Sequence, residues 1–418
     1  MEFLYRLSTS RAMGIYLLIL MLLVAALTAI VLFSLHIIRS SADAAAAELG
    51  DGNGKKRKRG GASRFSNLSR IDQLPPEETL DYGFYGLKTI CRDFRNFAAN
   101  KLGLYYELAD IRRFIAGMGM SRLIILQGIS GTGKTSLAYA AGEFFCNSST
   151  IVPIQPMWKE RSDLLGYFNE FTRRFNETPL LCKLYEAGRS KKVYITVLDE
   201  VNIARIEYYF AEFLSLLEIP DPKKRKLDVV SDSWKNDPVH LEGGKLQLPE
   251  NMWFVGTSNH DDSTFSISDK VYDRAAVLDL NSRCQSFSAP ETEPVPVTFV
   301  KLQQLFDSAK KVNRLSDFAR ENIRQLDLFL TEQFRISFGN RIMRQIEEYV
   351  PIMIACGGTE EGALDDIFAR KIFRKLEQLS PVLIRNQVPA LVELLQRQYG
   401  ENTLSQSIAY LQRLEKSV

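Results

Sequence analysis

Residues 128–136 read GISGTGKTS and fit the pattern GxxxxGK[ST] of a phosphate-binding loop. The glycines let backbone N–H groups turn towards phosphate oxygens, and the following helix adds the positive end of its dipole. Lys134 is expected to reach the β- and γ-phosphates, and the Thr135 hydroxyl is expected to ligate Mg²⁺. An apolar run before the loop and helical spacing after it supply the context that the motif requires. The predicted nucleotide-binding residues are Gly128, Ile129, Ser130, Gly131, Thr132, Gly133, Lys134, Thr135 and Ser136.

Two acidic residues follow the apolar run VYITVL at residues 193–198. A β-branched run of this kind is typical of a buried central strand in a parallel sheet. A phosphate loop needs an acid at the end of another strand to hold Mg²⁺, and Asp199 is expected to supply it. Glu200 is expected to orient the attacking water and to accept its proton. The sequence therefore predicts a magnesium site at Thr135 and Asp199, with Glu200 as the general base.

Two polar residues further along the chain extend this set. The apolar segment NMWFVGTSN ends in Asn259, whose amide could hold the water against the γ-phosphate. The segment DKVYDRA carries Arg274, which could reach a neighbouring subunit's site and stabilise charge in the transition state. Alone, such an asparagine is commonly a turn former and such an arginine is commonly solvated. Their order after the acidic strand favours catalytic roles, with Lys270 and Arg283 as the alternatives to Arg274.

Other classes of phosphate-loop protein fit the sequence less well. It has no SGGQ-like motif of transporter ATPases and no NKxD motif of Ras-type switches, although DLLG at residues 163–166 matches DxxG at chance level. The net charge of +3 gives no direct indication of nucleic-acid binding. The five cysteines form no CxxC pair and the three histidines form no cluster. We therefore interpret the cysteines as buried apolar side chains of a protein in a reducing compartment.

The chain of 418 residues is long enough for two or more folded units, and its start has the features of a membrane anchor. Residues 12–38 contain no charged side chain. At about 1.5 Å per residue this segment exceeds a hydrocarbon core of about 30 Å. A cleaved signal peptide is the alternative, since SADAAAAE follows, but its apolar region is usually only about 7 to 15 residues long. The sequence predicts a tail at 1–11 and a retained transmembrane helix at 12–38.

Residues 39–80 have few large apolar side chains and contain the cluster KKRKR at residues 55–59. Such a segment lacks the material for a core and is predicted to be a flexible basic linker. The cluster lies at the edge of the range over which positive charge sets orientation. It favours a single-pass protein of the cell membrane whose C-terminal part lies in the cytoplasm. Nucleoside triphosphate is available there, which agrees with the phosphate loop.

Three segments together resemble the AAA+ ATPases of the McrB-like group, close to the MoxR branch. These are LDEVNIARIEYYFAEFLSLLE, WFVGTSNHDD and DKVYDRA, and the stretch from FGNRIMRQ to ARKIFRKLE is also similar. The resemblance covers about residues 82–380. It implies a P-loop αβα sandwich with a parallel sheet at residues 81–285, a helical lid with C-terminal helices at 286–418, and self-association into a hexameric ring.

The resemblance also implies a role for each matching residue. Asp199 and Glu200 become the Walker B acids, and Asn259 becomes sensor 1. Arg274 matches the arginine finger that acts in trans. Arg341 is the match for sensor 2, with Arg335 and Arg344 as nearby alternatives.

Two insertions are implied as well. FNEFTRRFNETP at residues 168–179 fits an insert within helix 2, and residues 219–249 fit a hairpin before sensor 1. In the second, a Gly-Gly pair between alternating strands predicts a tight hairpin turn. Such inserts often face substrate or the pore of a ring, and the alternative is packing between subunits.

The leading interpretation is a membrane-tethered AAA+ nucleoside triphosphatase that remodels or drives an unidentified protein partner. ATP with Mg²⁺ is favoured because most of the wider family uses ATP, while GTP is possible because the restriction member of the McrB-like group uses GTP. The alternative is a regulatory scaffold whose nucleotide-dependent assembly recruits an effector such as a nuclease. The sequence itself has no evident PD-(D/E)xK nuclease cluster.

Overall fold

The computed structural model describes residues 63–75, 85–259 and 264–417. The chain divides into two units, 1–61 and 62–418, and the described residues all belong to the second. The predicted transmembrane helix at 12–38 lies outside the described residues. Within them, the structure contains no helix with the length and apolar composition needed to cross a bilayer.

Helices make up most of the described chain. In chain order they are α1 (Asn67–Gln73), α2 (Leu87–Leu102), α3 (Leu108–Met120), α4 (Lys134–Phe144), α5 (Arg161–Leu165), α6 (Pro179–Ala187), α7 (Ile206–Tyr209), α8 (Ala211–Glu218), α9 (Asp269–Tyr272), α10 (Phe299–Val312), α11 (Asp317–Phe334), α12 (Gly339–Ala355), α13 (Glu360–Ile367), α14 (Pro381–Tyr399) and α15 (Ser405–Ser417). A π-helical turn at Phe368–Ile372 and 3₁₀ turns at Pro222–Lys224 and Phe373–Gln378 complete them.

The strands form one large sheet and two small ones. In chain order they are β1 (Leu123–Gly128), β2 (Thr150–Pro153), β3 (Gly166–Asn169), β4 (Arg174–Glu177), β5 (Tyr194–Asp199), β6 (Lys226–Asp228), β7 (Leu241–Glu242), β8 (Lys245–Gln247), β9 (Met252–Asn259) and β10 (Ala276–Asp279). The large sheet has the order β10-β1-β9-β5-β2 and is parallel throughout. The predicted parallel α/β sheet followed by a helical region is confirmed.

The register of the large sheet brings the predicted site residues to one edge. Gly128 at the end of β1 pairs with Asn259 at the end of β9. Asp199 ends β5, whose Leu198 pairs with Gly256 of β9. Because all these strands run in the same direction, the start of the phosphate loop, the acid and the asparagine lie together at the carboxyl edge.

Side chains alternate between the two faces of the sheet and build a core on each. On β1, Ile124 and Leu126 belong to the cluster that α2, α3, α4 and the C-terminal helices complete. Leu123 and Ile125 belong to a second cluster, with α6, α7, α8 and the small sheets. The result is a three-layer αβα arrangement in which the first core continues into the helices after residue 299.

Both predicted insertions contain antiparallel strands. β3 begins two residues before the first predicted insertion and pairs with β4 inside it, from Gly166 opposite Glu177 to Asn169 opposite Arg174. The second holds the sheet β6-β8-β7, and the turn between β7 and β8 is the predicted Gly-Gly pair. Gly243 and Gly244 have φ angles of 61° and 78°, which suit a two-residue hairpin turn.

Residues 63–75 lie in the segment predicted as a flexible linker, and here the structure differs from that prediction. Phe65 and Leu68 are fully buried, and α1 places them with Ile71 against the second core. Arg64 is only 2% exposed and donates hydrogen bonds to Asp232 and Asp237 of the second insertion. These few apolar residues suffice because the large sheet, the helices packed on it and the two insertions provide the rest of the second core.

Candidate nucleotide-binding site

The phosphate loop joins β1 to α4 and has the backbone geometry that its glycines predict. Gly131 and Gly133 have φ angles of 78° and 87°, in the region that side chains disfavour. Lys134 is 6% exposed, and its ammonium donates to the carbonyls of Gly128 at 3.0 Å and Ile129 at 2.7 Å. The loop therefore closes around the ammonium group that is expected to bind phosphate.

Two side chains that the sequence analysis did not assign to the loop lie against it. The Tyr106 hydroxyl donates to the carbonyl of Gly133 at 3.0 Å, and burial raises the pKa of Tyr106, so the hydroxyl keeps its proton. Arg283 Nε donates to the carbonyl of Gly131 at 2.7 Å. Arg283 is thus engaged with the loop of its own subunit, which weighs against it as the alternative to Arg274.

Asp199, at the end of β5, lies beside the first turn of α4. The Thr135 hydroxyl donates to Asp199 Oδ1 at 2.8 Å, and the Glu200 side chain is exposed to solvent. Within the described residues no group of three or more His, Cys, Asp or Glu side chains could hold a metal. A hydroxyl beside one carboxylate still fits Mg²⁺, which usually binds one or two protein oxygens together with substrate phosphates.

Asn259 lies at the same edge and is held by a residue that sequence reasoning missed. The Asn202 amide donates to the carbonyl of Asn259 at 2.8 Å and to the Thr264 hydroxyl at 2.9 Å. Asn202 is 5% exposed, so these bonds are shielded from water. Its position three residues after Asp199 gives no periodic signal, which is why pattern reading did not find it.

A cavity of about 1080 Å³ opens beside Asn259 and extends to the C-terminal helices. Arginines from these helices line its far wall, namely Arg370, Arg374 and Arg413. Arg370 donates to Asp366 at 2.8 Å, and Arg374 lies over the ring of Tyr272. The sequence analysis did not single out these arginines, because only the fold brings residues after 367 to the edge of the sheet.

Arg274 and Arg341 lie elsewhere. Ile124 pairs with Ala276, so Arg274 precedes β10 at the amino edge of the sheet, and its carbonyl accepts a hydrogen bond from Ser121 at 2.7 Å. Arg274 Nη2 lies 2.7 Å from Glu218, and Arg341 contacts the other oxygen of the same carboxylate. β1 separates this edge from the phosphate loop by about 3.3 Å per residue.

The structure thus gathers most of the predicted site and separates two members from it. Lys134, Thr135, Asp199, Glu200 and Asn259 meet at the carboxyl edge. The two predicted arginines instead share one carboxylate at the opposite edge. Spacing in the sequence gave no indication that these two would pair with each other.

Comparisons with known proteins agree with the loop and the sheet. Residues 123–275 match the model of the AAA domain of the dynein-related subfamily. The EcoKMcrB subunit of the type IV methyl-directed restriction enzyme from Escherichia coli (strain K12) is 25% identical over 176 residues. That match covers 40% of this chain and 36% of the relative, so the chain spans about a third of that protein's length.

A solved structure is also similar, though distantly. The full-length MCM homolog from Methanopyrus kandleri gives a TM-score of 0.34 at 10% identity, covering 71% of this chain and 58% of that one. A likeness at that level adds nothing to the topology described above. The phosphate loop and the parallel sheet described above both fall within residues 123–275, the part of the chain that matches the AAA domain.

Proposed function

We propose that this chain is an AAA+ nucleoside triphosphatase with ATP as the favoured nucleotide. It hydrolyses the nucleotide at the interface between subunits of a ring. Turnover would then remodel or drive a protein partner. The observation that carries the proposal is the location of Arg274 and Arg341 at the edge of the sheet opposite the phosphate loop. A subunit so arranged has a nucleotide site on one edge and cationic side chains on the other.

The residues at the carboxyl edge account for binding and for proton transfer. Lys134 binds the phosphate charge, while Thr135 and Asp199 would hold Mg²⁺, which neutralises charge on the phosphates. Glu200 accepts the proton of the attacking water, and its solvent exposure leaves it accessible to that water. Asn259 holds the water in line with the γ-phosphate.

Arg274 lies at the amino edge of the sheet, opposite the phosphate loop of its own subunit, so we assign its action to a neighbour's site. Arg274 also donates to the carbonyl of Lys270, and its side chain is 19% exposed. Arg341 is more exposed, at 42%. Glu218 holds both guanidinium groups side by side, which suits joint delivery to a phosphate across an interface. We therefore assign Arg341, like Arg274, to the neighbour's site.

A mixing experiment tests this arrangement. Arg274→Ala subunits should bind nucleotide and lose turnover by about 10³- to 10⁵-fold, as is typical when a trans arginine is removed. Lys134→Ala subunits should lose binding and turnover. A mixture of the two variants should recover activity. At some interfaces the intact phosphate loop of an Arg274→Ala subunit meets the intact Arg274 of a Lys134→Ala subunit.

Lys270→Ala is the matched control, since it removes an exposed cation from the same short helix as Arg274. It should hydrolyse like the wild type. A mixture that recovers no activity would mean that Arg274 acts within its own subunit. Full activity of Arg274→Ala alone would show that Arg274 is not the residue that acts in trans, and Lys270 would then be the alternative to test.

The second candidate function is the regulatory scaffold. The relative from Escherichia coli is named as one subunit of a restriction enzyme, which favours recruitment of an effector such as a nuclease. Turnover that is independent of protein concentration and of mixing would support the scaffold. Specific activity that rises with concentration to a plateau would support a catalytic ring, for which we propose a hexamer.

We further propose that residues 12–38 anchor the ring in the cell membrane, with the AAA domain on the cytoplasmic side. The length of the uncharged segment and the basic cluster after it support this location. The insert hairpin β3–β4 is the surface that we propose to meet the partner. Phe171 at its tip is 99% exposed, so the ring of this side chain is available for contact.

A further inference from the structure

Thr257 lies inside the sheet between the groups that are expected to perform hydrolysis. It is the sixth residue of β9, two positions before Asn259, and it is 3% exposed. Its hydroxyl donates to Asp199 Oδ1 at 2.7 Å and accepts the backbone N–H of Glu200 at 2.9 Å. One hydroxyl therefore contacts both acidic residues of the site.

The carboxylate oxygen of Asp199 is held from two directions. Thr135 donates to it from the phosphate loop at 2.8 Å, and Thr257 donates to it from the neighbouring strand at 2.7 Å. Thr135 lies in the first turn of α4, next to the loop that is expected to bind phosphate. Thr257 belongs to a buried strand, so its hydroxyl is the fixed one of these two contacts.

Thr257 also fixes the backbone that carries Glu200. Glu200 has a φ of 56°, a left-handed conformation that is unfavourable for a residue with a side chain. Such a conformation persists where its surroundings determine it. Here the hydroxyl of Thr257 holds the N–H of Glu200, and the carbonyl of Thr257 accepts the N–H of Val201 at 2.8 Å.

We propose that Thr257 is a positioning residue for nucleotide hydrolysis. Its hydroxyl fixes the Asp199 carboxylate for the magnesium site and holds Glu200 in the left-handed turn that presents the general base to the water. The inference rests on the proposed nucleotide hydrolysis. It adds a residue that touches neither nucleotide nor water and acts through Asp199 and Glu200.

Three substitutions in the full chain test the role of the hydroxyl. Thr257→Val removes the hydroxyl and keeps the branched shape, Thr257→Ala removes both, and Thr257→Ser keeps the hydroxyl. In Thr257→Val and Thr257→Ala we expect kcat with Mg·ATP to fall by about 10- to 100-fold, the equivalent of a lost hydrogen bond to a charged group. Thr257→Ser should retain turnover.

Two further measurements distinguish positioning from general stability. The Mg²⁺ concentration for half-maximal activity should rise in Thr257→Val, because the magnesium ligand Asp199 is no longer fixed. ATP affinity measured without Mg²⁺ should be unchanged, because Lys134 and the loop are intact. The matched control is Thr196→Val, a threonine of β5 that is 1% exposed and whose hydroxyl contacts the sulfur of Met252. It should leave kcat and Mg²⁺ dependence as in the wild type.

The outcomes separate this inference from the proposed function. Wild-type kcat and Mg²⁺ dependence in Thr257→Val or Thr257→Ala would overturn the positioning role. Equal loss in Thr257→Ser and Thr257→Val would also overturn it, because the hydroxyl would not be the group that matters. Absence of turnover in the wild-type ring would instead overturn the proposed function, and the positioning role with it. Thermal midpoints show which variants are folded, and any folded valine or alanine variant decides the question.

Discussion

Glu200 is the residue on which the proposed chemistry depends most directly. Glu200→Gln keeps the size of the side chain but cannot accept a proton, so turnover should fall by about 10²- to 10⁴-fold. Nucleotide binding should persist, because Lys134 and the loop are unchanged. Parallel measurements of nucleotide affinity and of phosphate release would check both parts.

Glu332→Gln is a suitable control for this prediction, since Glu332 is exposed on α11. It should behave as the wild type in both measurements. Normal hydrolysis by Glu200→Gln would place the general base on another residue.

For individual residues, the sequence predicts a role where that role follows from spacing within one short motif. Gly128, Gly133, Lys134 and Thr135 lie within eight consecutive positions, so a pattern can identify them. Thr257 and Asn202 act through contacts across strands or loops, at 57 residues from Glu200 and Asn259 respectively. Contacts at such separations depend on strand order and register, which spacing along one segment does not reveal.

Among the elements, the segment with α1 contributes an unexpected set of polar contacts. Glu177 at the end of β4 accepts the backbone N–H groups of Ser66, Asn67 and Leu68, and so caps the start of α1. Arg64 bridges the same segment to Asp237. These contacts fasten residues 63–75 to both insertions.

Arg64→Met should release this segment. The side chains of Arg64 and Asp237 are 2% and 5% exposed, and removal of one partner of a buried pair costs about 3 to 5 kcal/mol. Amide hydrogen exchange in α1 should therefore become much faster, and proteases should cut within residues 63–75.

Arg70→Met serves as the control, because Arg70 is an exposed residue of the same helix. It should leave hydrogen exchange in α1 unchanged. Equal protection of α1 in Arg64→Met would mean that the Glu177 cap and apolar packing hold the segment without Arg64.

The elements also explain which parts of the prediction failed. β1, β5 and β9 are mostly apolar and end in polar residues at the carboxyl edge, and their apolar runs indicate buried parallel strands. α1 follows a stretch rich in glycine and lysine and offers only a few apolar residues of its own. Its folding depends on partners more than a hundred residues away, so composition alone assigned it to the linker.

For the whole molecule, the location of the AAA domain is open to a direct test. Protease added to intact cells or right-side-out vesicles should leave residues 82–418 uncut, because the membrane would separate these residues from the protease. An antibody against the C terminus should detect a protected fragment that still contains all of residues 82–418. Digestion of this region from outside would contradict the proposed cytoplasmic location.

Vesicles opened with detergent provide the positive control. Trypsin should then cut at the tip of the β3–β4 hairpin, where Arg173 and Arg174 are exposed beside Phe171. Protection that persists after detergent would mean that the hairpin is covered by a partner or by another subunit.

The left-handed backbone at Glu200 has a consequence for how such a sequence is maintained. Asparagine and glycine adopt this conformation at lower cost than glutamate, so selection for stability alone would favour replacing Glu200. The replacement would remove the proposed proton acceptor. The fold therefore retains a less favourable residue at the point of chemistry, a trade of stability against activity that is common at functional sites. A Glu200→Asn protein should accordingly melt at a higher temperature than Glu200→Gln while both lack turnover.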